Sequence, residues 1–127
     1  MDKTVLIIED DTVLLDMYQD KFAVSGITVM TADDGKKGLD LAMTKQPDLI
    51  LLDLGLPKIK GVDIMGTLRM TEWGKMVPII VLTNLNVDGK ILEAITKYNP
   101  VYCLLKANTT PDEVVDKAKE VLKLKHE

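Results

Sequence analysis

Five short apolar runs constrain this chain more than any other feature: Val5 to Ile8, Ile27 to Ala32, Leu49 to Leu52, Pro78 to Leu82 and Val101 to Leu105. Each is of strand length and nearly continuous in valine, isoleucine and leucine. A strand with one wet face alternates apolar and polar residues, whereas a strand of a parallel sheet covered on both faces does not. The runs therefore read as buried parallel strands.

The segments between them carry helical signals. In Thr12 to Ser25, Val13, Leu14, Met17, Tyr18 and Phe22 recur at three- and four-residue spacing before Gly26 closes the pattern. Asp34 to Gln46 follows and is ended by Pro47. A third helix is predicted from about Val62 to Trp73, and a fourth from about Val87 to Tyr98, before Asn99-Pro100. The fifth has the clearest start, because Thr110-Pro111-Asp112-Glu113 places a capping threonine, a proline at the first helical position and a reciprocal glutamate. It runs to about Lys123. Strand and helix thus alternate five times, which predicts an α/β fold: a doubly wound, five-stranded parallel sheet with right-handed crossovers and helices on both faces.

At 127 residues the chain has the length of one domain, so residues 1–127 read as a single unit. No apolar run approaches the roughly 20 residues of a membrane-spanning helix, and no signal peptide is visible after Met1. The single cysteine, Cys103, has no internal disulfide partner. These features predict a cytoplasmic protein without membrane contact. A net charge of −4 argues against direct nucleic-acid binding, which rewards clustered lysine and arginine.

In open α/β sheets, ligands bind outside the carboxyl ends of the strands. The residues placed there are Glu9-Asp10-Asp11 after the first run, Asp53 after the third, Thr83 after the fourth and Lys106 after the fifth. Singly, each has an ordinary explanation: a solvated loop acid, a helix cap for Asp11, a loop threonine, a surface lysine. Together they place carboxylates, a hydroxyl and an ammonium in one crevice. Crowded carboxylates repel unless a cation joins them. Mg²⁺, which takes one or two carboxylates with waters and phosphate oxygens, suits the set. Asp10 and Asp53 are the candidate direct ligands, Glu9 acts through water, and the Gly55 carbonyl adds an oxygen. A carboxylate beside such an ion can attack a phosphoryl group, which makes Asp53 the candidate acceptor, with Lys106 and Thr83 contacting the phosphoryl oxygens.

The ordered combination Val5-Leu6-Ile7-Ile8-Glu9-Asp10-Asp11, then Pro47 through Asp53-Leu54-Gly55-Leu56-Pro57 with Gly61, then Pro78 through Thr83, and finally Lys106, resembles the CheY-like receiver domains of response regulators across essentially the whole chain. The resemblance implies a flavodoxin-like fold and a Mg²⁺-dependent role in two-component signal transduction or a phosphorelay. In that role Glu9 and Asp10 are the metal-binding acids, Asp53 the phosphoacceptor, Thr83 the switch hydroxyl and Lys106 the phosphoryl-contacting lysine. The donor would be a sensor histidine kinase or phosphotransfer protein. The last two helices would meet a downstream effector or a second copy. Such a domain is a signalling switch rather than an enzyme, with at most weak self-phosphorylation and autophosphatase activity.

Three positions depart from the family pattern. Asn84 follows Thr83 where a small residue is usual. Ala107 follows Lys106 in place of proline, so a trans peptide is expected. Cys103 occupies the aromatic switch position and reads as a small buried hydrophobe. Tyr102, one residue earlier, should face the other side of the sheet. Gly55 and Leu85, two residues after Asp53 and Thr83, offer nothing to orient water, which predicts slow self-hydrolysis. His126 reads as a solvated tail residue, and the seven methionines mostly as core filler.

Three other readings compete with this one. A flavin carrier would want a Ser, Thr and Gly-rich first loop where Glu9-Asp10-Asp11 would repel phosphate. An aspartyl hydrolase would want a second acid two residues beyond Asp53. A pseudo-receiver that binds partners without phosphorylation is the alternative that the departures keep alive.

Overall fold

All five apolar runs form strands: β1 (Thr4–Ile8), β2 (Thr28–Ala32), β3 (Leu49–Asp53), β4 (Ile79–Thr83) and β5 (Tyr102–Leu105). The structure is a computed structural model describing residues 3–56, 60–84 and 89–123. The strands pair in parallel in the order β2-β1-β3-β4-β5. Helices α1 (Thr12–Val24), α2 (Gly35–Lys45), α3 (Gly61–Arg69), α4 (Gly89–Tyr98) and α5 (Pro111–Leu122) make the crossovers, and a 3-10 turn over Lys106–Asn108 follows β5.

Because successive strand residues point to opposite faces, the sheet has two cores. On one side Ile7, Leu51 and Leu82 pack against Leu15, Tyr18 and Phe22 of α1 and Val114 and Ala118 of α5. On the other, Ile8, Leu52 and Val81 meet Ala42 of α2, Ile64, Met65 and Leu68 of α3, and Ile95 of α4. Every residue of β3 and β4 is buried, as their unbroken apolar runs require. Each fully buried Val, Leu or Ile contributes about 1.5–3 kcal/mol.

Helix boundaries follow local hydrogen bonding more closely than periodicity. Asp11 caps α1, its Oδ1 accepting from the Val13 and Leu14 amides at 3.1 and 3.2 Å. Asp34 caps α2 through the Lys37 amide. Thr110 and Glu113 form the expected reciprocal box at α5. Helix α3 stops at Arg69, short of the expected Trp73: the Thr71 hydroxyl donates to Leu68 O and accepts from the Gly74 amide, both at 2.8 Å, turning the chain early. Pro78 lies just outside β4, although its carbonyl accepts from the Ile50 amide. The expected start of α4 at Val87 lies outside the described residues, as do Pro57, Leu85 and His126.

Two burial expectations are overturned. Cys103 is exposed, because β5 is an edge strand and α4 does not cover its face there. Of the methionines, Met65 fills the core, but Met17, Met43, Met70 and Met76 are exposed, the last two at 86% and 82%. Met17 and Met43 lie on α1 and α2, where helical spacing places a residue on a face without saying whether anything packs there, and Met70 and Met76 lie in the turn after α3.

Candidate functional site

The chain leaves β1 to one side to make β2 and returns on the other side to make β3, so a crevice opens where β1 and β3 end. The acids gather there. Glu9, immediately after β1, is 1% exposed, and its amide donates to Ala32 O at 3.0 Å. Asp53 ends β3 and is 5% exposed, whereas Asp10 faces solvent. One carboxylate oxygen from each of Glu9, Asp10 and Asp53 falls within 4.8 Å of the others. Thr83, fully buried, ends β4, and Lys106 opens the turn after β5.

Lys106 joins the carboxylates. Its Nζ lies 2.7 Å from Glu9 Oε2 and 3.2 Å from Asp53 Oδ2, with the lysine side chain only 13% exposed. The other oxygens are held by backbone: Glu9 Oε1 accepts from the Asp11 amide at 3.1 Å and Asp53 Oδ1 from the Gly55 amide at 3.0 Å. Gly61 closes the site from beneath, because a Cβ there would lie 2.7 Å from Asp53 O and from Leu54 Cα. Only glycine lets α3 start so close to β3.

The electrostatics are those of a crowded acidic pocket in which, among the described residues, Lys106 is the cation paired with the acids. Burial pushes the Glu9 carboxyl above its ordinary range, and the Asp53 charge adds to this against the opposing pull of Lys106. At Lys106 burial works to lower the pKa, but the hydrogen bond to Glu9 and the charges of Asp53 and Glu9 outweigh it and raise it. Desolvation thus wins at the glutamate, and pairing wins at the lysine, which has two partners. Tyr18, buried in α1, has its phenol pushed up to about 12 by burial and then by Glu9 and Asp53. Its helical spacing marked it as a core residue; nothing in the sequence marked its proximity to these acids.

This donor set fits a hard divalent cation. It is all oxygen, two members are buried, and the buried Glu9 Oε2 has the Lys106 ammonium as its partner and accepts no backbone amide. A cation would take the place the ammonium fills in part.

Other candidates fall elsewhere. Cys103 is in register with Val81 and Leu105 with Thr83, so both stand on the α4 side of β5. Tyr102 stands on the opposite side, as expected, with its hydroxyl donating to Glu120 at 2.8 Å and Lys117 Nζ 4.7 Å from its ring centre. The Lys106–Ala107 peptide is trans. No described helix is long and apolar enough to cross a membrane.

Residues 5–119 match the response-regulator receiver domain family. The chain is 33% identical over 70% of its length to the polar-differentiation response regulator DivK of Brucella ovis, covering 72% of that protein. It is 39% identical over 65% of its length to the alkaline phosphatase synthesis transcriptional regulatory protein of Bacillus subtilis, and 41% identical over 68% to the DNA-binding dual master transcriptional regulator RpaA of Synechocystis. It spans about a third of the length of those two regulators, 34% and 36%. Among solved structures, the receiver domain of a Francisella response regulator superposes with a TM-score of 0.84 at 27% identity, covering 96% of this chain and 98% of that one. A CheY-like receiver domain from Methanospirillum hungatei has the same fold, with a TM-score of 0.87 at 22% identity, covering 97% of this chain and 95% of that one.

Proposed function

The chain belongs to the receiver domain family of response regulators, and from that premise we propose that it is one receiver domain over residues 1–127, taking a phosphoryl group on Asp53 in a Mg²⁺-dependent reaction. The observation that carries this reading is the convergence of buried Glu9 and Asp53 with Asp10 on one side of the crevice and of Lys106 on both buried carboxylates. An Asp53 oxygen attacks the phosphorus of a phosphohistidine, the phosphorus–nitrogen bond breaks, and the departing imidazole takes up a proton. Lys106 shifts its charge from carboxylates to phosphoryl oxygens, and the Thr83 hydroxyl donates to another. Asp10, Asp53, Glu9 and the Gly55 carbonyl would hold Mg²⁺, which would supply charge neutralisation when bound.

The donor is a sensor histidine kinase or phosphotransfer protein, and α4 and α5 present the responsive surface to an effector or a second copy. With Gly55 and Leu85 at the two positions that could orient water, the phosphorylated form hydrolyses slowly; a lifetime of seconds in Mg²⁺ buffer would contradict this. The direct test is to incubate the protein with acetyl phosphate, with and without Mg²⁺, and weigh it alongside Asp53→Ala. One added phosphoryl group that needs Mg²⁺ and vanishes in the variant supports the reading. No addition under conditions that label an ordinary receiver would make this a pseudo-receiver, binding partners without phosphorylation.

A further inference from the structure

An apolar slot opens between the starts of α3 and α4, beside the crevice, and none of Glu9, Asp10 or Asp53 lines it. Its lining includes Leu54 and Leu56, 4% and 6% exposed, with partly buried Val62 of α3 and Ile91 of α4. Leu54 and Leu56 belong to the core on that side of the sheet, whereas Asp53, two residues after Leu51, points to the other. Gly61 fixes the α3 wall: its amide donates to Leu54 O at 3.4 Å, and a Cβ there would stand 3.0 Å from Leu54 Cδ2. At about 380 Å³ the slot has the size of a small-molecule site, and its lining, mostly apolar with a few polar groups, is of that kind too.

The charged groups in the lining favour one sign of ligand. Lys60 and Lys90 are exposed, and neither takes part in an ion pair among the described residues. Lys60 holds the cap position of α3, where no side chain caps the helix, and Lys90 is the second residue of α4. Both therefore stand at helix amino ends, where the aligned peptide dipoles add positive potential. The one carboxylate, Asp63, also lines the neighbouring groove with Lys97 and Tyr98, which puts it at the boundary of the slot. Two ammoniums against one carboxylate make the patch net positive on a chain whose net charge is −4.

We propose that this slot binds a small carboxylate with an apolar body: the body displaces water from Leu54, Leu56, Val62 and Ile91, and the carboxylate pairs with Lys60 and Lys90. Gly55 lines the slot and its amide donates to Asp53 Oδ1, so the bound ligand sits against the loop that serves the acid crevice. Binding does not require that Asp53 accept a phosphoryl group, so the slot and the functional reading stand or fall separately.

Amide shifts followed by NMR on the full, unphosphorylated chain test the slot with two probes of matched body, phenylbutyrate and phenylbutylamine. Phenylbutyrate should move the Leu54, Gly55, Val62 and Ile91 amides saturably, with half-saturation in the millimolar range, as suits a ligand of this size with exposed ion pairs. Phenylbutylamine, repelled by the same lysines, should bind about tenfold more weakly. Exchanging both charges, Lys60→Glu with Lys90→Glu, should reverse that order. Val62→Trp, which fills the slot, should weaken both probes by about tenfold or more. Leu51 and Leu52 amides unchanged in these variants mark intact folding. Shifts confined to other surfaces, a lack of saturation, or equal binding of acid and amine overturns the proposal, as does an order unaltered by the two glutamates. Saturation by a blocked acidic peptide carrying one phenylalanine, with none by phenylbutyrate, also overturns it and makes the slot a docking site for protein.

Discussion

The central strands β1 and β3 and the edge strand β5 obey different rules. In β1 and β3 nearly every side chain is buried, each strand has a neighbour on both sides, and the acidic residues at their ends converge in one crevice. In β5, with a neighbour on one side only, exposure alternates, Cys103 is open to solvent and Leu105 is 45% exposed. Two of the three departures from the family pattern, Cys103 and Ala107, lie in or beside this strand, and the third, Asn84, is exposed in the loop after β4. Lys106, at the end of the same edge strand, keeps its place because two buried carboxylates hold it. Where packing is two-sided the sequence has little freedom; where it is one-sided, partial packing by Tyr102 and Leu104 and the charge pairing of Lys106 restrain it.

The sharpest way to break this contrast is to truncate one residue in each region. Leu51→Ala should cost about 2–5 kcal/mol in urea unfolding, and Cys103→Ala no more than about 0.5 kcal/mol; comparable losses would refute the distinction. Lys106→Met asks whether the edge strand is held by charge. It leaves Glu9 and Asp53 without their cation and should cost about 1–3 kcal/mol near neutral pH, less in acid, where a carboxylate can protonate, and less with Mg²⁺ present. A loss unaffected by either would remove the ion pair from the account.

Glu9→Gln sharpens the central side. A carboxyl whose folded pKa is raised binds its proton more tightly in the native state, so its contribution is present below the ordinary value of 4.5 and fades as pH rises through the raised one. The glutamine variant has no such titration. Its Tm relative to the parent should therefore climb by a few degrees as pH rises from 4.5 to neutral; parallel melting curves across that range would mean burial does not burden Glu9. A small effect is also expected for Cys103→Phe, which adds a ring at an open edge and should shift stability by less than about 1 kcal/mol. A larger loss would show the edge to be more tightly packed than its exposure indicates.

Much of this was legible beforehand. Continuous Val, Ile and Leu runs marked parallel strands, and Thr110-Pro111-Asp112-Glu113 marked the start of α5, because both signals are local. The crevice residues were legible as a set, since alternation of strand and helix delivers every strand end to one edge of the sheet. Less legible were α3's early stop, decided by the Thr71 hydroxyl, and the exposure of Met17 and Met43, whose helical spacing carries no information about the partner across from them.

By itself the sequence determined the five strands, the helices between them and which side chains reach the crevice, because burial on both faces demands apolar continuity and parallel connections repeat one direction. Only the tertiary structure decided that Lys106 would bridge Glu9 and Asp53, that Arg69 would gather four carbonyls from separate segments, and that Cys103 would stand open at an edge. Each depends on groups far apart in the chain, where distance and desolvation, rather than local preference, set the energy.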